Sequence, residues 1–542
     1  VYRNEKVPAW AGALAGLVAG GVALGVAQLA AGVVGPQTFP VVAVGDATVD
    51  LTPAPVKDFA IRTFGEHDKA VLVGGVLVVL AGVAALLGVL SRRRLAYGLA
   101  GMAAFGVVGV LAVLTRPDTG LAGVLPTVTG VAAGACALSW LVRRATRPGE
   151  GAVEASVVRS PARVSGGERD AGAVEWPAVM RGGGEPVVFD RRRLLTGVAG
   201  GVVVAGAATV LGRQLGGRQA VDAARLGVTL PKPAAPAMPI PAGADLRIGG
   251  LSPFITPNRD FYRVDTALVV PQVDPRDWTL RIHGMVDRPV ELTFDDLLRM
   301  PLTEADVTLT CVSNEVGGNL VGNARWLGVR MADVLRQAGL RADADMLLST
   351  STDGFTCGTP ADVVMDGRDA LFAVAMNGEP LPLDHGFPVR QVVPGLYGYV
   401  SATKWVVDIK ATRFDQDQAY WTPRGWAERG PIKTQSRIDV PKPGASLRAG
   451  DTTVAGVAWA QHTGVDAVEV RVDGGQWRQA RLAEVPGPDT WRQWSIDWAA
   501  TPGSHTIEVR ATDASGRTQT DQAAPPAPDG ATGWHSVTVE VG

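Results

Sequence analysis

Cysteine is scarce in this sequence, with three in 542 residues. That excludes a disulfide-dense scaffold and any four-thiolate zinc or iron–sulfur site. Histidine is nearly as rare, at six. No C-x-x-C-H run is present, so covalently attached haem is excluded as well. Charged residues make up only 19 %, and the net charge of −2 leaves no basic field that would draw nucleic acid. What fills the chain is apolar, at 46 %. The length points to roughly three or four domains rather than one core. The sequence starts at Val1, so its natural start is expected to lie upstream or to have been processed.

The apolar residues collect near the N-terminus. Five runs carry no charge: Ala9–Val34, Ala70–Leu90, Leu95–Leu114, Leu121–Val142 and Leu194–Gly212. A bilayer core needs about 20 apolar residues as a helix, so each run reads as a span. Small residues dominate them, which lets helices approach closely. Cys136, inside the fourth run, is read as packing. Transporters usually need an ionisable group within the membrane. These runs have none, so the bundle reads as an anchor or docking module.

Basic residues set the expected topology. Stretch 35–68 holds only Lys57 and Arg62 against several acids and faces outward. Ser91–Arg94 faces inward, as does 143–193, with ten Arg and no Lys. The fifth span then carries the rest of the chain outside the cytoplasmic membrane. Before it stands Asp190–Leu195 (DRRRLL), which resembles a twin-arginine export signal retained as an anchor. An ordinary positive-inside anchor has the same appearance. The expected layout is a four-helix transmembrane bundle over 1–143 and a cytoplasmic Arg-rich loop over 144–190. A signal anchor with the fifth helix occupies 191–215, and a Pro-rich, semi-rigid linker 216–246. An α+β domain fills 247–435 and an all-β immunoglobulin-like sandwich 436–542.

In the α+β part, WTLRIHGMV alternates like a strand and TFDDLLRM reads as a short helix capped by Thr293. Cys311 ends the apolar strand VTLTC and opens a polar, Gly-rich loop. A thiol there is a nucleophile, a soft-metal ligand or a small buried apolar residue. Cys357 reads as a core or turn cysteine. Pro380–Trp405 gathers Asp384, His385, Arg390, Ser401, Thr403 and Lys404 among several Gly and Pro. Such a segment lets amides and cations converge on a phosphate. Ile255–Asn258 (ITPN) and Phe261–Arg263 form a third constellation, whose Asn amide both donates and accepts and so suits a pterin edge.

These three stretches, in this order, resemble the sulfite oxidase family of molybdopterin enzymes. VTLTC with NARWLGVRMADVLRQAGL is similar to that family's strand, molybdenum-binding cysteine and following helix. MNGEPLPLDHGFPVRQVVPG is similar to its most recognisable segment. GVAWAQHTGVDAVEVRVDGGQW is similar to its C-terminal immunoglobulin-like dimerisation domain. The resemblance implies a molybdenum–molybdopterin cofactor with Cys311 as the metal ligand. It implies cofactor contacts from Asn258, Tyr262, Arg263, His385 and Arg390, with Ser401, Thr403 and Lys404 at the phosphate and Ser351 as a further candidate.

Three departures bear on substrate. Val312–Glu315 stands where the family has glycine–asparagine–double arginine, and Val264–Thr266 where it has Arg-Asn-His. The family's Tyr before the MNG motif falls at Val374. These changes remove positive charge and a phenol from where sulfite binds. A neutral or cationic substrate is expected instead, with Glu315 and Asp265 as catalytic-site contacts. The expected activity is two-electron oxygen-atom transfer by a multi-pass membrane enzyme with its catalytic domain extracytoplasmic. A separate cytochrome or a quinone would serve as electron partner, and the chain would be a homodimer or a membrane-complex subunit. The alternative is a non-catalytic accessory subunit of a respiratory membrane complex.

Overall fold

The computed structural model describes residues 7–53, 56, 59, 63, 68–116, 120–148, 187–215 and 218–542. Most of the Arg-rich loop expected over 144–190 therefore lies outside the described residues. The chain divides into a helical unit, chiefly up to residue 216, and a second unit over 217–542.

The helical unit contains α1 (Ala9–Val34), α2 (Pro40–Leu51), α3 (Asp68–Ser91), α4 (Leu95–Leu114), α5 (Leu125–Arg144) and α6 (Arg191–Leu215). All but α2 belong to stretches long and apolar enough to cross a membrane. α1 lies at the centre, against α3, α5 and α6. Its small residues set the spacing: a Cβ on Gly32 would sit 2.4 Å from the Gly212 carbonyl oxygen. Such contact is how helices associate where burial of apolar surface gives no net drive. Two expectations are corrected here. Stretch 35–68 is not a plain loop, because Pro40 starts α2, which packs on α4. Cys136 is exposed on the outer side of α5 and is not packed between helices.

The second unit begins with α7 (Arg218–Leu226). Within the stretch expected as a linker, residues 218–246 do not stand off as a spacer. Val221 is buried with Phe261 and Trp326, and Arg225 Nε donates to the Leu381 carbonyl at 2.8 Å. Ala234 N then donates to Leu302 O, and Glu304 N to Ala235 O, each at 2.8 Å. Proline does not forbid such packing, because it needs no partner for an amide proton.

Two sheets carry the α+β part. One contains β3 (Leu302–Thr310), β4 (Val321–Arg330), β7 (Leu371–Met376) and β8 (Glu379–Pro380), in the order β8-β7-β4-β3, with β9 (Arg390–Val392) also pairing β7. The other runs β2-β1-β10-β5-β6, from β1 (Thr279–Gly284), β2 (Val290–Thr293), β5 (Met346–Ser351), β6 (Thr356–Pro360) and β10 (Val406–Thr412). β7 is buried at every position, so its sequence LFAVAM is a continuous apolar run without alternation. α8 (Phe294–Arg299) starts at the expected cap, Thr293 Oγ1 accepting from Asp296 N at 3.2 Å. α9 (Met331–Ala338) follows β4 and ends at Gly339, whose φ of 72° favours glycine. α10 (Ala361–Met365) follows β6.

Residues 435–541 form a two-sheet sandwich of nine strands among the described residues, in keeping with the expected all-β sandwich. In its last strand Val537, Val539 and Val541 are buried while Ser536, Thr538 and Glu540 are exposed. The sandwich braces the end of β3. Gln461 Nε2 donates to Thr308 O at 3.1 Å and to Thr310 Oγ1 at 3.0 Å, and Trp491 N donates to Thr308 Oγ1 at 2.7 Å. The residue after Thr310 is Cys311.

Candidate active site

Cys311 leaves β3 into a loop that closes on itself. Its N–H donates to Leu320 O at 2.9 Å, and Asn314 Oδ1 accepts from Leu320 N at 2.8 Å. The sulfur is therefore placed by backbone and by Asn314. All three cysteines are free thiols, and Cys357 is wholly buried. Cys311 is 9 % exposed, and burial pushes its thiol up, opposed by hydrogen bonding from Ser313. It lines a cavity of about 130 Å³.

A cationic wall comes from the segment 383–404. His385 is buried and holds the Asn258 carbonyl through Nε2 at 3.1 Å. Burial and the neighbouring Arg390 and Lys404 cations pull it down to about 3, so the ring is neutral at pH 7. Arg390 Nη1 donates to His385 O at 3.2 Å, and its guanidinium lies over the Trp326 ring at 4.9 Å. Its Nε is buried without a partner, and burial lowers the group to about 10. Ser351, at the end of β5, has a buried Oγ that also lacks a partner. Lys404 Nζ donates to Asp265 Oδ2 at 2.6 Å and to Asp384 O at 3.0 Å, and burial draws it down to about 8. Tyr262 closes this side, its phenol pushed up by burial and by the Cys311 sulfur.

The rest of the lining is largely aromatic, with Phe355, Tyr399, Trp421 and Trp426, and includes Asp353. Their rings form a continuous ridge. Trp421 and Trp426 are 6.1 Å apart and Tyr399 and Trp426 are 6.0 Å apart, while Phe355 reaches Trp421 through Tyr420. The sequence signal for this ridge was YWTPRGW, two Trp spaced by a Pro-Gly turn, which composition alone does not tie to a site.

The cavity thus brings together Cys311, Asp265, Tyr262, Ser351, His385, Arg390 and Lys404. Five expected residues lie elsewhere. Glu315 is exposed on the Cys311 loop and does not line the cavity, because Asn314 takes the inward position. The Asn258 side chain is engaged by Asn377 Nδ2 at 2.7 Å, and only its carbonyl reaches His385. Arg263 is outside, its Nε 2.9 Å from Asp265. Ser401 Oγ donates to Tyr397 O at 2.9 Å, and Thr403 Oγ1 pairs with Ser349 Oγ at 2.6 Å. These two hydroxyls hold the wall from behind. Asp265 lines the cavity, but as the counter-ion of Lys404. Among the described residues no three His, Cys, Asp or Glu converge as a metal-ligand set. A metal at Cys311 would take one ligand from the protein and need the others from a cofactor.

Parts of this chain are similar to known proteins. A family model described as an oxidoreductase molybdopterin binding domain matches residues 267–421, and a bacterial Ig domain matches 435–509. Mouse mitochondrial sulfite oxidase is 33 % identical over 322 residues, 50 % of this chain and 58 % of that protein. The chain thus spans little more than half the length of that relative. An uncharacterized oxidoreductase of Bacillus subtilis, YuiH, is 35 % identical over 157 residues, 29 % of this chain and 76 % of that one. The sulfane dehydrogenase SoxCD of Paracoccus pantotrophus superposes with a TM-score of 0.47 at 25 % identity, covering 53 % of this chain and 81 % of that chain. With the binding-domain model matched and most of the Bacillus protein covered, this chain belongs to the sulfite oxidase-like family of molybdopterin oxidoreductases.

Proposed function

We propose that this chain is a membrane-anchored enzyme with its catalytic domain outside the cytoplasm, catalysing two-electron oxygen-atom transfer on a substrate other than sulfite. One observation carries the reading. Ser351 Oγ and Arg390 Nε are buried donors without partners, and both residues line one cavity with Cys311. Buried polar groups are normally satisfied, so an orphaned pair in one cavity fits an anionic, hydrogen-bonding ligand. Molybdopterin has that chemistry. When bound, it supplies a metal able to exchange two electrons at a time.

The protein's own residues divide the work. Cys311 offers a soft, electron-rich donor to the metal. Arg390, Ser351, Tyr262 and neutral His385 would hold the organic part of the cofactor by hydrogen bonds, and Lys404 would meet its phosphate end. Phe355, Tyr399, Trp421 and Trp426 exclude water from the substrate side, which strengthens every polar contact inside.

The lining charges bear on substrate. Arg390 and Lys404 are balanced by Asp265 and Asp353. A cofactor phosphate would leave the site net negative, so a dianion such as sulfite gains no attraction. A neutral or cationic molecule with an apolar body suits the aromatic ridge. A separate cytochrome or a membrane quinone would exchange the electrons.

Metal analysis of protein from a cofactor-competent host tests the enzyme reading. Near-stoichiometric molybdenum is expected, and none would leave the accessory-subunit reading in its place. The anchor has its own test. Arg191 and Arg192 stand in the first turn of α6, with Asp190 Oδ1 accepting from Arg193 N at 3.0 Å. Replacing both by Lys keeps the charge, so an ordinary anchor would still insert. Under the twin-arginine reading, protease added to spheroplasts should no longer reach the catalytic domain. Unchanged digestion would remove that reading.

A further inference from the structure

The Lys404 end of the cleft is unusual for an anion site, because it already holds an anion. Asp265 Oδ2 lies 2.6 Å from Lys404 Nζ and 2.9 Å from Arg263 Nε. The Asp265 and Lys404 side chains are 4 % and 9 % exposed, so water screens the pair little. Arg263 also faces Asp384 at 3.8 Å, and Lys404 takes the Asp384 carbonyl as well. Two cations and two carboxylates cancel there. Asp265 comes from the loop after Phe261 and Lys404 from the segment before β10, so the contact joins residues 139 positions apart.

An incoming phosphate must displace or share this carboxylate. Inorganic phosphate has nothing else to offer in exchange. A ligand that also reaches Arg390 and Ser351 gains further hydrogen bonds along the same cavity. Resting on the cofactor reading above, we infer that Asp265 is a selectivity counter-ion. It keeps Lys404 from free inorganic anions and reserves that end of the cleft for a phosphate carried by a larger, doubly anchored ligand. The effect is specificity by a built-in competitor, set against the wrong ligand more than for the right one.

The test uses full-length protein, detergent-purified without cofactor from a host unable to make molybdopterin, titrated with inorganic phosphate by calorimetry at constant ionic strength. Wild type is expected to show no saturable binding in the millimolar range. Asp265→Asn keeps the shape and removes the charge, and should bind phosphate at least about 10-fold more tightly, as expected when a buried charge competitor is lost. Asp265→Ser carries the same expectation should the amide fail to fold. Asp265→Glu should restore the wild-type indifference, and adding Lys404→Gln to Asp265→Asn should abolish the gain. Equal phosphate binding by wild type and both neutral variants would overturn the inference, as would a gain that survives Lys404→Gln. No molybdenum enters this measurement. Its failure leaves the enzyme reading standing, whereas metal-free wild type from a competent host would defeat that reading without touching the phosphate result.

Discussion

Serine in place of Cys311 is expected to abolish turnover while the protein still folds. The exchange alters one atom of a small side chain. The loop around it is closed by Leu320 and Asn314 through groups other than the sulfur, so those bonds remain. The sandwich contacts that fix β3 end at Thr310 and are also untouched. A hydroxyl does not ionise at ordinary pH and is a harder, weaker donor to a soft metal. Losing a residue that merely orients a metal ligand costs 10–100-fold in typical cases, so losing the ligand itself should cost more than about 100-fold. Turnover with an artificial electron donor and the thermal midpoint, read side by side, separate the two effects. Full turnover in Cys311→Ser would show that Cys311 does not hold the metal.

How much of this was legible in the sequence depended on the range of the physics involved. Uncharged apolar runs declare helices without tertiary information, and Ala9–Val34 and Leu95–Leu114 coincide with α1 and α4. Met331–Ala338 and the Thr293 cap were equally readable, because spacing and capping are local. α7 was hidden by its setting in a Pro-rich stretch, with Val221 packing against Phe261 and Trp326 and Arg225 bonding Leu381, 156 residues away. The site was half legible. Cys311 at a strand end and the cations of 385–404 could be found by residue type. Which of them face the cavity could not, because Ser401 and Thr403 turn behind the wall while Ala402 and Lys404 line the cavity. Asp265 lines the cavity, but nothing local announces a partner as remote as Lys404.

Arg390→Met separates a binding arginine from a structural one. In the protein without cofactor, the wild-type guanidinium is 5 % exposed with Nε unsatisfied, and burial has already lowered its pKa to about 10. An unsatisfied buried polar group costs about 1–3 kcal/mol, more when charged, and an apolar side chain of similar length removes that cost. Against this stand the contact with Trp326, worth about 0.5–2 kcal/mol, and the bonds to the His385 and Ala402 carbonyls. The two sides nearly cancel, so the cofactor-free variant should unfold within about 1 kcal/mol of wild type or above it. Cofactor retention should behave differently. A charge-assisted hydrogen bond contributes about 1.5–3 kcal/mol, and losing the Arg390 contacts should cut retained molybdenum to below about one tenth of wild type. Chemical denaturation of the cofactor-free protein, paired with metal analysis of the loaded one, reads both quantities. A variant that loses several kcal/mol yet keeps its molybdenum would make Arg390 part of the scaffold and remove it from the binding wall.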